Sequence, residues 1–475
     1  MSTSKSIVSR FTRLLGVRTP ARMPVRTRPR TSARTSAPTL TLLALAGLAA
    51  CGGADRVAES EPALVERARG IHERVITLDT HDDINAANFT AEQNYTMDLE
   101  TQVTLPKMEE GGLDVAWFIV YVGQGPLTEE GFGDAYDQAI EKFEAVHRLT
   151  EEIAPDRVGL ALTSDDVRSI VASGRKVAMI GVENGYQVGM DAGRVREFQE
   201  RGARYMSLAH NGHSQLADSN TGEAEDEWLH GGLSDLGREV VAEMNRWGVM
   251  IDISHPSKEA NLEAMELSRA PVIASHSSAR SVYDHSRNLD DEQLMALRDN
   301  GGVVQTVAFR GYVDGDKNSA HTDAADAITL EVAEEMGFEM PQGGGRGAVF
   351  RATQSMTDAE REEFMAGYEA VQEAAAERIE TELADVAPPV DVADFVDHID
   401  YMVDLIGIEH VGISSDFDGG GGVEGWDDAS ETFNVTLELV RRGYTEDEIG
   451  MLWSGNLLRV LDEVQAVAAE IRAGG

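Results

Sequence analysis

Five apolar runs of the sequence each lead into a residue that can bind a metal. VITLDT runs into His81 and Asp83, KVAMIGV into Glu183, VMIDIS into His255, PVIAS into His276, and HVGISS into Asp416. His81 and Asp83 are two apart, so on an extended strand both side chains point the same way and can share one ion. Glu183 is a carboxylate that is expensive to bury unpaired, and its two oxygens can join two metals roughly 3.5–4 Å apart. His255 and His276 offer neutral imidazoles, which suit zinc. Asp416, in SSDFDG, is placed to take the proton of a metal-bound water as that water attacks; Asp418, two residues on, competes for the role. His210, in SLAHNG, can donate to the oxyanion of a tetrahedral intermediate. Each of these residues alone fits a structural role equally well. Their recurrence after apolar runs is what points to one centre for metal-assisted hydrolysis.

Such residues can meet only if the runs that carry them lie side by side. Apolar runs bounded by turn residues read as buried parallel strands, and the sequence offers eight, at 75–80, 115–122, 176–182, 204–209, 249–254, 271–275, 303–308 and 410–415. Stretches of helical period separate most of them, including 134–153, 235–247, 258–269 and 292–298. Asp290 with Gln293, and Thr445 with Glu448, form the pattern of a capping box. Eight alternating pairs predict a (β/α)₈ TIM barrel, the architecture that gathers catalytic residues at the carboxyl ends of its strands. Residues 310–395 break the rhythm. They are rich in Ala, Glu and Gly, with a helical stretch at 358–383 and a cluster at Gly343–Gly347, and are too long for a plain connection. They read as a helical insertion before the last strand, at the active-site end. Gly419–Gly422 reads as a loop near the site.

Composition narrows the function classes. The chain has 475 residues with 83 acidic against 41 basic, a formal charge of −42. That balance disfavours nucleic acid and anionic membrane surfaces as partners. The charge is uneven, because nine basic and no acidic residues fall in the first forty, followed by the apolar stretch TLTLLALAGLAA and then Cys51. A basic segment, a short apolar segment and small residues before a cut site are the parts of a secretory signal, and the apolar part is too short to span a bilayer. Leu48-Ala49-Ala50-Cys51-Gly52 resembles a bacterial lipobox. The expected organisation is a lipoprotein-type signal peptide over 1–50, with Met23 as an alternative start, then a spacer over 51–69 behind a lipidated Cys51, and the barrel over 70–475. Cys51 is the sole cysteine, so no internal disulfide can form.

The segments THDD, GVENG, SLAHN, DISHPS, SRAPVIASHSSARSVYDHSRN and SSDFDG together resemble the membrane (renal-type) dipeptidases, peptidase family M19, a branch of the amidohydrolase-like barrels. The resemblance covers roughly residues 70–310 and 395–470. Most of the wider superfamily opens with His-x-His and bridges its metals with a carboxylated lysine, whereas His81-x-Asp83 and Glu183 match this branch. The resemblance implies two zinc ions per chain, one on His81 and Asp83, the other on His255 and His276, with Glu183 between them. It implies that His210 contacts the substrate carbonyl, that Asp416 handles the proton and that Arg287 holds the substrate's terminal carboxylate, which a guanidinium binds through two parallel hydrogen bonds.

The expected activity is therefore hydrolysis of free dipeptides, including those with C-terminal D-residues, by a hydroxide held between two zincs. Another small-amide hydrolase on the same barrel, acting on a lactam or an acylated D-amino acid, is the nearer alternative; a metal-binding lipoprotein without chemistry is the farther one. The resemblance also implies a homodimer. The signal places the protein in the bacterial envelope, lipid-anchored in the outer membrane and facing the periplasm, with the anchor as its sole link to a membrane. His213, His230, His285 and His321 read as surface or supporting residues.

Overall fold

The computed structural model describes residues 60–341 and 345–474. The leader 1–50, Cys51 and the first part of the spacer lie outside the described residues, as do residues 342–344, which include the first two glycines of the cluster. Among the described residues there are nine strands. They are β1 Leu78–Asp83, β2 Val115–Tyr121, β3 Val158–Leu160, β4 Lys176–Glu183, β5 Ala203–Ser207, β6 Met250–Asp252, β7 Ile273–Ala274, β8 Val303–Val307 and β9 Val411–Ser414. All pairings are parallel, and eight strands follow the order β1-β2-β4-β5-β6-β7-β8-β9. The Asp83 N–H donates to Phe417 O at 2.9 Å, Thr80 Oγ1 donates to Ile413 O, and the Ser415 N–H donates to Asp79 Oδ1, so β1 meets the chain of β9 and nearly closes the ring. The fold is a (β/α)₈ barrel.

Strand β3 was not expected. It pairs with the first residues of β4, ahead of β5, which joins the same edge from Ile180 onward. Three residues carry too little alternation to be read as a strand. The ladder is also shorter than the sequence suggests at β6 and β7. Asp252 Oδ1 accepts from the N–H groups of both Ser254 and Ser275, which supply the ends of the expected runs, so a side chain stands in for ladder partners there. At the last strand, His410 sits in a short 3₁₀ turn, Ile408–His410, outside the ladder.

Alternation sorts the strand residues. Val115, Trp117 and Ile119 of β2 cluster with Leu78, Met250, Ile273 and Val303 at the starts of other strands, and with Leu457, Leu461 and Val464 of the last helix, Asn456–Gly474. This apolar cluster fills the floor of the barrel. Ala116, Phe118 and Val120 join the other large cluster with the surrounding helices. Capping follows the predicted pattern: Asp290 and Gln293 cap the helix Asp291–Asn300, and Thr445 and Glu448 cap Glu446–Gly450.

Between β8 and β9 lie the helices Gly315–Met336, Gly345–Thr353 and Asp358–Leu383. Ile328, Val332 and Ala333 of the first of these cluster with Val371, Ala375 and Leu383 of the last, giving this segment a small core of its own. The following helix, Val392–Ile406, packs through Phe395, Ile399 and Met402 on the barrel. Among the described residues no helix is long and apolar enough to cross a membrane.

Candidate metal centre

The predicted ligands converge at the carboxyl end of the barrel. His81 and Asp83 end β1 and Glu183 ends β4, while His210, His255, His276 and Asp416 lie two or three residues beyond β5, β6, β7 and β9. All seven, with Arg287, line or underlie one cavity of about 550 Å³. Three overlapping sets place their ligand atoms within 4.8 Å of one another: His81, Asp83 and Glu183; Glu183, His210 and His255; His81, His276 and Asp416.

Glu183 stands at the centre with its two oxygens divided. Oε1 lies 3.1 Å from His255 Nε2, 3.4 Å from His276 Nε2 and 3.8 Å from His210 Nε2, whereas Oε2 lies 3.6 Å from His81 Nε2. The His255 and His276 Nε2 atoms are themselves 3.0 Å apart. Asp83 Oδ2 and Asp416 Oδ1 face the same His81 nitrogen at 3.8 and 4.0 Å.

Neighbouring residues set which imidazole nitrogen faces inward. Tyr205 Oη donates to Thr80 O, so it accepts from His81 Nδ1–H at 2.9 Å and leaves His81 Nε2 as a lone pair toward the carboxylates. Ser275 Oγ likewise donates to Asp252 Oδ2 and accepts from His276 Nδ1–H, again leaving Nε2 toward the centre. A ligand histidine held this way is fixed in tautomer and orientation. Tyr205 reaches His81 across the barrel because residue 181 is glycine: a Cβ there would lie 2.2 Å from the Tyr205 ring. Sequence reasoning missed both Tyr205 and Asp252. A glycine inside an apolar strand was the one available signal, since it marks a close approach.

The backbone is strained where it delivers these groups. Asn184, His255 and Asp416 have φ of +70°, +78° and +62°, a region that costs a non-glycine residue about 1–3 kcal/mol. Gly419 lets the next loop lie over the centre, since a Cβ would come within 2.4 Å of Asp416 Oδ1 and 2.5 Å of Asp83 Oδ2. Asp418 also lines the cavity but belongs to none of the three sets. Its Oδ1 accepts from the Gln102 N–H, and its own N–H donates to Gln102 Oε1.

Burial pushes every group toward its neutral form. Asp83, Glu183 and Asp416 are raised by desolvation first; the neighbouring carboxylates add to the rise at Asp83 and Asp416. His81, His210, His255 and His276 are lowered, again first by desolvation. His81 Nε2 and Asp83 Oδ1 are buried without a hydrogen-bond partner. Neutral imidazoles and clustered carboxylates, each a lone-pair donor aimed at a common point, form a set that fits divalent cations.

Arg287 is buried, donates from Nη2 to His276 O and from Nη1 to Ser277 Oγ, and lies over the Tyr312 ring at 5.5 Å. His210 packs between Tyr121 and His255, its ring tilted against both. Lys142, Tyr121, Phe309 and Tyr312 also line the cavity and were not picked out from the sequence. The remaining histidines lie apart from the ligand set. His213 Nδ1 accepts from the Ser219 N–H, His230 Nε2–H donates to Ser214 O, His285 Nδ1 accepts from the Arg287 N–H, and His321 Nδ1–H donates to Ala387 O.

The family model for membrane dipeptidase (peptidase family M19) matches residues 65–474. The dipeptidase aclJ of Aspergillus oryzae is 31% identical over 438 residues, covering 87% of this chain and 85% of that protein. The dipeptidase verJ of Clonostachys rogersoniana is 32% identical over 337 residues, covering 71% and 67%. Among solved structures, the probable dipeptidase PvdM from Pseudomonas aeruginosa superposes with a TM-score of 0.68 at 29% identity, covering 86% of this chain and all of that one. A metallopeptidase from Rhodobacter sphaeroides, solved with a phosphinate mimic of the dipeptide L-Ala-D-Ala, shares the fold with a TM-score of 0.58 at 21% identity, covering 82% and 99%.

Proposed function

This chain belongs to the membrane dipeptidase family, peptidase family M19, and is a metal-dependent peptide-bond hydrolase; from that premise we propose that it cleaves free dipeptides at a centre of two zinc ions bridged by Glu183. The observation that carries the two-ion reading is the division of Glu183, with Oε1 toward His255 and His276 and Oε2 toward His81. His81 and Asp83 would hold one ion, and His255 and His276 the other. Bound there, the ions would polarise the scissile carbonyl and make water acidic enough to attack near neutral pH.

The protein's own groups do the rest. Arg287 takes the terminal carboxylate and so sets how far along the substrate the scissile amide falls. His210 donates a hydrogen bond to the carbonyl oxygen as charge builds there. Asp416 takes a proton from the attacking water and delivers it to the leaving amide nitrogen. Its partner in sequence, Asp418, is held by Gln102 and left to position the loop. The fixed carboxylate clamp favours dipeptides over longer chains. Acceptance of a C-terminal D-residue is part of the proposal, supported by the phosphinate mimic bound to the Rhodobacter sphaeroides relative.

Export, lipidation at Cys51, outer-membrane anchoring and a homodimeric state complete the reading, the first three on the leader's sequence and the last on family resemblance. Labelled fatty-acid incorporation, lost in Cys51→Ser, tests the anchor.

The deciding experiment assays L-Xaa-L-Xaa, L-Xaa-D-Xaa and N-blocked dipeptides while metal is counted on the same sample. Cleavage of free dipeptides with two zincs per chain is expected. Two zincs with cleavage of acylated D-amino acids or lactams alone would transfer the reading to another amide. Arg287→Ala should raise KM about tenfold to a hundredfold, the loss of a charge-assisted bidentate contact worth roughly 1.5–3 kcal/mol; an unchanged KM would remove the clamp.

A further inference from the structure

We propose that Lys142 makes this cavity selective for dipeptides whose N-terminal residue carries a carboxylate side chain, aspartyl or glutamyl. The inference rests on the dipeptidase reading above, with Arg287 on the C-terminal carboxylate.

Lys142 lies on the helix Glu129–Arg148, which follows β2, and its side chain lines the same cavity as the ligand set. Of the cavity's lining residues, Lys142 and Arg287 are the two that are lysine or arginine. They come from opposite sides, because β2 and β7, the strands that precede them, are second and sixth in a ring of eight. Arg287 is tied to His276 O and Ser277 on its side. Lys142 Nζ lies 5.5 Å from the centroid of the Tyr121 ring, and that ring packs on His210.

Among the described residues Lys142 makes no hydrogen bond and no ion pair. Burial lowers its pKa, and the charges that oppose this are Asp83 and Glu183. Both are candidate cation ligands. Once ions claim those carboxylates, the half-buried ammonium keeps no ion-pair partner among the described residues; the other cavity carboxylates, Asp416 and Asp418, are not among the charges that oppose its desolvation, and a partly desolvated cation without a partner is costly. The substrate can supply one. A dipeptide with its C-terminal carboxylate on Arg287 and its amide at the ligand set and His210 sends its N-terminal residue toward β2. A glutamyl or aspartyl side chain there meets Lys142; an alanyl one leaves the ammonium unpaired, and a lysyl one is repelled.

The test measures KM and kcat for Glu-Ala, Ala-Ala and Lys-Ala with the zinc-loaded full chain, its Lys142→Met variant and its Lys142→Arg variant. Calorimetric binding of the phosphinate analogues of Glu-Ala and Ala-Ala is measured in parallel. The native chain should prefer Glu-Ala. Lys142→Met should raise KM for Glu-Ala about tenfold more than for Ala-Ala, the factor that ~1.4 kcal/mol supplies, and Lys142→Arg should restore the preference. If the methionine variant does not fold, Lys142→Gln makes the same comparison. An identical Glu-Ala to Ala-Ala ratio in native and variant chains would overturn the inference and leave Lys142 balancing the charge of Asp83 and Glu183. If the native chain cleaves none of the three, the dipeptidase reading falls, and the ratio of analogue affinities then decides the role of Lys142 on its own.

Discussion

At the floor of the barrel Leu457, Leu461 and Val464 pack on Trp117, Met250 and Ile273, whereas at the mouth His81, Glu183, His276 and Asp416 are equally withdrawn from water. The floor removes apolar surface from solvent, which stabilises the fold at about 25 cal/mol per Å². The mouth buries acids and bases whose charged forms resist it, on a backbone turned left-handed at Asn184, His255 and Asp416. One end of the same ring therefore holds the fold together, and the other spends that stability to keep lone pairs aimed at a common point.

Mutations at the two ends should separate activity from stability. His276→Ala is expected to lower kcat/KM by more than about 10³-fold, since a catalytic ion is worth several kcal/mol of barrier. Circular dichroism should stay native, and full activity would remove the metal reading. Leu461→Ala at the floor should do the reverse, costing about 2–5 kcal/mol in urea unfolding through the cavity it leaves, with KM preserved. A large KM change there would mean that the two ends are coupled.

Tyr205→Phe probes the join between them, because Tyr205 packs in the floor cluster through its ring and bonds His81 through its hydroxyl. Zinc affinity should fall about 10–100-fold, the usual loss when a ligand's orienting partner is removed. Competition with a chelator reads it, and unchanged affinity would show that His81 needs no such support.

The smallest effect concerns a histidine far from the mouth. His72 Nε2–H donates to Gly111 O and Nδ1 accepts from Thr436 Oγ1, and burial lowers its pKa from the ordinary 6.5. Below pH 6.5 the unfolded chain binds the proton that the folded chain refuses, so this contribution is complete above 6.5 and is lost as pH falls toward the depressed value. The stability advantage of the native protein over His72→Gln should therefore shrink as pH falls from about 7.5 to about 5.5. A difference constant with pH would show that His72 titrates alike in both states.

Much of this was legible in the chain. The helices 235–247 and 358–383, both capping boxes and eight strands in parallel order follow from apolar period and cap residues, which act over a few neighbours. The convergence of the candidate ligands was legible for the same reason, each member sitting just past a run of apolar residues. Tyr205, Asp252 and Lys142 were not. Tyr205 reads as one more aromatic in a strand, Asp252 as one acid in VMIDIS, and Lys142 as one charge on an acidic helix, and nothing local tells that the first two bond His81 and Ser275 or that the third enters the cavity.

The sequence by itself determined the barrel, the family and the identity of the groups that converge, because strand and helix periodicity and the ligands' positions along the chain are local properties. Only the tertiary structure decided that Glu183 faces histidines on both of its oxygens, that Asp416 joins His81 and His276 while Asp418 is bonded to Gln102, and that Lys142 stands across the cavity from Arg287. Those facts depend on which side chains meet across the ring from positions far apart in the sequence, and on left-handed turns and glycines that permit the approach, so they exist only once the ring has formed.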